Sequence, residues 1–213
     1  MHMHINNDLR PLHRIAVAAS VDIVADVTLG DLASPTPCAG WDLGDLLTHM
    51  TVQHNGFAAA ARGSGADLAM WDPATVADAV RADPGGTYAA AAANVLEAFS
   101  ADGVPDATFA LPEFGKDAAV PGSMAIGFHF VDYVVHGWDV ARSLGVPFSL
   151  PAEVIEAVLP LALAVPDGEI RDMDNSPFAH AVPTEAGASD LDRLLRHLGR
   201  SPDWRAEGVT VGR

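Results

Sequence analysis

His129, Asp132 and His136 are the residues of this 213-residue chain whose types and spacing point most directly to chemistry. They lie in the stretch Gly127-Phe128-His129-Phe130-Val131-Asp132-Tyr133-Val134-Val135-His136-Gly137-Trp138-Asp139. At about 100° per residue the three fall within about 60° of one another on a helix, so they share a face. Ala125, Ile126, Tyr133, Val140 and Leu144 belong to the same face, which aims two imidazoles and a carboxylate into an apolar stripe where unpaired polar groups are costly. Two arrangements satisfy them. A divalent cation takes neutral imidazole nitrogen and ionised carboxylate together, and a carboxylate followed four residues later by a histidine sets both donors one turn apart. A buried His–Asp hydrogen bond that only fixes helix packing satisfies them as well.

The helix carrying this face opens at Pro121, which suits a first turn, and ends near Gly145-Val146-Pro147. Its back is apolar too, with Phe128, Phe130, Val131, Val134, Val135 and Trp138, so it needs cover on nearly every side. A four-helix bundle covers one side only. The C-terminal third and a second subunit are both expected to pack there, which makes the chain a homodimer.

The partners of that helix follow from periodicity. Leu9, Leu12, Ala16, Ala19, Ile23 and Val27 step by three and four and predict a first helix from Asp8 to about Leu29, with Pro11 in its first turn and His13 at the surface or at best behind a site. Ser34-Pro35-Thr36-Pro37-Cys38-Ala39-Gly40 cannot continue a helix, and Asp42 caps the next one, from Leu43 to about Ala61, with Asp45 in its first turn. His54 falls inside the apolar stripe of that helix and His49 on its flank, so pattern alone makes His54 the more buried of the two. Cys38, just ahead of the helix, reads as a small packed side chain, or as a thiol acidified by the helix N-terminus.

Residues 74–82 predict a short helix, Asp83-Pro84-Gly85-Gly86 a break, and Tyr88, Ala92, Val95 and Phe99 a third long helix. Thr108 to Leu111 reads as extended and Pro112 to Gly122 as loop, together a long crossover. Beyond the bundle, residues 151–164 form a helix interrupted at Pro160, and Val165 to Gly187 is loop with Phe178 as an anchor. Ser189 caps a last helix that Gly199 closes. The expected architecture is all-α: a four-helix bundle with a long crossover over residues 1–147 and a short helical extension over 148–213. Met1 to Asn7 is polar, and His2 and His4 are given no role.

Composition narrows the function. A net charge of -16 and an isoelectric point near 4.6 repel phosphate backbones and anionic membranes, so neither nucleic acid nor a membrane is expected as a partner. No apolar run approaches the ~18 residues of a membrane span, and no charged start followed by an apolar run resembles a signal peptide. With one cysteine there is no internal disulfide, in keeping with a reducing cytoplasm, and a cytoplasmic location is expected.

Thr36-Pro37-Cys38-Ala39-Gly40-Trp41-Asp42 leading to Leu46-Leu47-Thr48-His49, with Asp132-Tyr133-Val134-Val135-His136-Gly137-Trp138-Asp139-Val140-Ala141, resembles the actinobacterial metal-binding proteins related to mycothiol-dependent maleylpyruvate isomerase, within the DinB-like superfamily of four-helix bundles. Ser189-Asp190-Leu191-Asp192-Arg193-Leu194-Leu195 and Leu198-Gly199-Arg200-Ser201-Pro202-Asp203-Trp204 resemble the tail of one branch of that group. The likeness spans nearly the whole chain. It implies a divalent metal, zinc or nickel, held by His49, Asp132 and His136, and so prefers His49 where the stripe prefers His54. Iron remains an alternative, since two histidines and a carboxylate also form the facial set of non-haem iron oxygenases. It further implies mycothiol or another small thiol as partner, an electrophilic small molecule as substrate, and isomerisation or S-transfer as the reaction. Hydrolysis and a non-catalytic metal-stapled bundle stand as the alternatives.

Two departures from that family bear on the reading. The isomerases carry a larger C-terminal domain than this chain has after Gly145, so their reaction does not transfer as such. Asp132 is also shorter than the glutamate they use, which leaves His129 three readings: a fourth ligand, a substrate-facing base, or polar packing.

Overall fold

A computed structural model describes residues 8–173 and 176–206; the N-terminal stretch with His2 and His4 lies outside the described residues. Five helices come first, α1 (Arg10–Val24), α2 (Leu43–Ala61), α3 (Ala77–Ala82), α4 (Pro84–Ser100) and α5 (Gly122–Leu144). Their ends are set by local chemistry. Asp42 and Asp45 form a reciprocal capping box at the start of α2, satisfying backbone donors that a helix start leaves unpaired. Asp83 accepts from the Gly86 N–H, so the break expected there falls at Asp83, between α3 and α4, and Pro84 with the glycines after it forms the first turn of α4. Gly145, at φ 69°, closes α5 in the left-handed conformation that glycine adopts without strain.

Helices α1, α4, α2 and α5 make the four corners of a bundle in that cyclic order, each packed on its two neighbours. Directions follow from the polar links between them. Ser20 meets the Tyr88 hydroxyl at 2.7 Å while Arg10 donates to the Phe99 carbonyl at 3.2 Å, which sets α1 and α4 antiparallel. His54 meets His129 at 3.1 Å and Tyr133 donates to the Met50 carbonyl, which sets α2 and α5 antiparallel. His13 meets His129 and Ser20 lies beside Gly137, which sets α1 and α5 parallel, so the bundle runs up-down-down-up, and crossings between non-neighbouring helices need long connections. The α4–α5 crossing holds a two-stranded antiparallel ribbon, β1 (Thr108–Ala110) with β2 (Ala119–Pro121). β1 is the extended stretch expected there; β2 lies in the segment expected to be loop, and three residues are too few to show an alternation.

Most of the apolar back of α5 is covered within the chain. Phe130, Val134 and Trp138 share one core with Val154 and Val158 of α6 (Ala152–Leu163) and Leu194 of α7 (Asp190–His197). Of the six apolar residues named on that back, Phe130, Val131, Val134, Val135 and Trp138 are buried and Phe128 stays 38% exposed. Pro160 sits inside α6 without interrupting it; the carbonyl its ring leaves without an intrahelical donor belongs to Glu156, an exposed residue. Between α6 and α7 the buried Arg171 donates to the carbonyls of Pro166, Ala179 and His197 at 2.6–2.7 Å, gathering that loop. Phe178 anchors it, as expected. Among the described residues no helix is long and apolar enough to cross a membrane.

Candidate metal centre

Antiparallel packing of α2 on α5 sorts their histidines into two layers. His49 comes level with His136 and Asp132, while His54 comes level with His129, about two turns away along α5. In the first layer one donor atom from each of His49, Asp132 and His136 lies within 4.8 Å of the others. His136 Nε2 is 3.3 Å from Asp132 Oδ1, close to the edge of a tetrahedron with bonds of about 2.0–2.1 Å. The His49 and His136 rings meet edge to face at 5.2 Å. Asp132 and His49 are partly exposed and His136 is buried, so the cluster opens to solvent on one side.

The remaining nitrogen of His136 is held from behind. Asp139, fully buried, meets His136 Nδ1 at 2.9 Å. An imidazole whose Nδ1–H is donated to a carboxylate presents Nε2 as a bare lone pair, the tautomer a metal ligand needs. Asp139 is fixed in turn by Arg200, whose Nη2 lies 3.0 Å from Oδ2 and whose Nε lies 3.1 Å from Oδ1. Arg200 Nη2 and Asp139 Oδ2 each lie 3.1 Å from Cys38 Sγ. Cys38, His136 and Asp139 form a second group of potential donors sharing His136 with the first. Thr36 shapes the loop that brings Cys38 here, its hydroxyl lying 3.1 Å from the Cys38 carbonyl and 3.0 Å from the Trp41 carbonyl.

Burial and charge set the protonation states. Burial depresses the His49 pKa to about 4 and keeps that ring neutral at pH 7. For Asp132 burial opposes ionisation, but His136 and then His49 outweigh it and hold the carboxyl below its ordinary range. Burial opposes charge on His136 as well, yet Asp132 and Asp139 raise its pKa well above the ordinary value. Asp139 is ionised against burial, chiefly by Arg200.

The other layer is chemically distinct. His13 Nε2 meets His129 Nδ1 at 2.8 Å, and His129 Nε2 meets His54 Nδ1 at 3.1 Å. All three rings are buried, and burial pushes His13 down to about 3 and the other two well below the ordinary histidine value. His129 is stacked on Tyr133 at 4.0 Å. With both nitrogens engaged in the interior it joins neither the donor set nor the exposed side of the cluster, so polar packing is the reading the geometry carries. His13 is the clearest correction: expected at the surface, it is interior because His129 supplies its partner. His54 is more buried than His49, as the stripe predicts, yet it is His49 that meets Asp132 and His136.

Sequence reasoning quoted Asp139 and Arg200 only as parts of recognisable strings and gave neither a role. Asp139 was findable, because a carboxylate three residues after a histidine on a buried helix face needs a partner. Arg200, 61 residues further on, leaves no such local signal. Two imidazole nitrogens and one carboxylate oxygen, with the rear nitrogen of His136 occupied and an open side, make a donor set that fits a borderline-soft divalent cation with coordination positions to spare.

Two uncharacterized proteins of Mycobacterium tuberculosis, from two strains, are each 30% identical over 190 residues, covering 89% of this chain and 96% of the relative. No solved structure matches the chain significantly. The family described as mycothiol maleylpyruvate isomerase N-terminal domain matches residues 13–141, which include α2, most of α5 and the three converging side chains. The chain belongs to the mycothiol maleylpyruvate isomerase N-terminal domain family.

Proposed function

We propose that His49, Asp132 and His136 hold a divalent cation, zinc or nickel before iron, and that the protein is a thiol-dependent enzyme, an isomerase or S-transferase that joins mycothiol or a related small thiol to an electrophilic small molecule. The observation that carries this reading is the convergence of the three donor atoms within 4.8 Å on a partly open face. A cation bound there supplies Lewis acidity, lowering the pKa of a thiol or water that reaches its open positions. The chain's own residues do the rest. Asp139, backed by Arg200, holds the Nδ1 side of His136, so that Nε2 points at the cluster and is the atom from which a bound cation would displace a proton. Neutral His49 approaches from the opposite helix, so the site staples α2 to α5 across a bundle corner. Trp41, its ring 5.0 Å from that of His49, stands beside the open side.

The family and its match support the thiol over water as the activated group. Arg200, outside the matched residues, brings the C-terminal extension to Asp139 behind His136. The test is the visible spectrum of the cobalt-substituted protein titrated with mycothiol. A thiol-dependent change in the ligand-field bands, with a new sulfur-to-cobalt charge-transfer band, is expected. A spectrum indifferent to mycothiol and to other small thiols removes the enzymatic reading and leaves a closed metal staple.

A further inference from the structure

Met124, Phe128, Asp132 and His136 follow one another at single-turn intervals on α5 and form a ramp. Met124 is 49% and Phe128 38% exposed; the Asp132 side chain is 20% and that of His136 4% exposed. The opposite wall is built from α2 and the crossover. Gln53, one turn beyond His49, sets its Nε2 at 2.7 and 2.8 Å from the two Glu113 oxygens. Next to Glu113, Phe114 is 58% exposed, and its ring lies 5.3 Å from that of Phe128. Large apolar side chains left in water side by side, next to a cluster of converging polar atoms, mark a binding surface more often than chance exposure does.

We infer that this ramp is the substrate groove of the centre and that it selects an uncharged molecule bearing an aromatic ring, the ring lying on Phe114 and Phe128 and the reactive end reaching His49, Asp132 and His136. The inference rests on the metal-centre reading and deepens it. From Phe128 to His136 the helix rises about 12 Å, room for a fused ring with a short arm. Charge argues against an acid. Glu113 stands in the wall beside Gln53, Arg200 is committed to Asp139 behind the centre, and Lys116 follows two residues after Phe114 on the crossover loop, in a chain of net charge -16.

The test uses the metal-loaded protein and the fluorescent naphthyl ketone prodan as an uncharged probe, with fumarate dianion as competitor. Metal content is measured on every sample. Phe128→Ala and Phe114→Ala are expected to weaken prodan binding about five- to tenfold, the worth of one aromatic contact, with metal content unchanged. Leu29→Ala, which removes an exposed leucine elsewhere, should leave binding as it is. The inference is overturned by unchanged prodan affinity in both phenylalanine variants, by fumarate displacing prodan at comparable concentration, or by Phe128→Ala altering self-association instead, which would make the face a contact between copies. Wild-type protein that takes up no metal defeats the centre itself, and the metal readings keep the two failures apart.

Discussion

An imidazole in an apolar interior has to stay neutral, and this molecule keeps a chain of three that way. His13, His129 and His54 carry folded pKa values below the unfolded value of about 6.5. Below that pH the unfolded chain binds protons the folded one refuses, so their contribution is intact above about 6.5 and lost as pH falls toward the folded values, about 3 for His13. His136, shifted the other way, is protonated in both states below 6.5 and adds no slope there. Denaturant midpoints with chelator present should therefore show stability falling by up to about 1.4 kcal/mol per pH unit between pH 6 and 5 for each of these three rings and for His49, itself lowered to about 4. His129→Asn should fall less steeply, and equal slopes would contradict neutral burial. At this scale the sequence was legible in kind and not in level. The wheel puts His129 and His136 at nearly the same angle, but an angle carries no axial height, and about 10 Å of rise separates them.

Helix starts and stops were read well where a single residue decides them: the Asp42 cap of α2, the Gly145 stop of α5 and the Ser189 cap of α7. The break read at Asp83-Pro84 does separate α3 from α4, whereas Pro160 was misread, because the residue alone does not say whether the carbonyl it leaves free lies on an exposed side. Close approach between elements was not legible. Gly56 on α2 has no room for a side chain, since a Cβ there would meet the Trp71 ring at 2.4 Å. Alanine ordinarily stabilises a helix by about 1 kcal/mol over glycine. Here Gly56→Ala should destabilise by roughly 1–3 kcal/mol, because Trp71 must leave its bond to the Gly65 carbonyl. Thermal melting checks the sign, and a rise in midpoint would show that the Trp71 loop yields freely.

Taken whole, the molecule depends on its extension twice. Val154, Val158 and Leu194 cover the back of α5, and Arg200 closes the network behind His136. The covering was expected from the apolar circumference of α5; the reach of Arg200 was not, because pairing over so long a separation is invisible to periodicity. A chain ending at residue 147 would expose Phe130, Val134 and Trp138 and is expected to aggregate or to elute as large species in size-exclusion chromatography. A monodisperse, folded fragment would show that residues 148–213 are an appendage.

The central claim is that three side chains from two helices bind one ion. Metal content of purified protein, equilibrated with zinc and freed of excess, should be about one equivalent per chain for the wild type and near zero for both His49→Ala and His136→Ala with helical circular dichroism retained. Equal occupancy in all three proteins would contradict it.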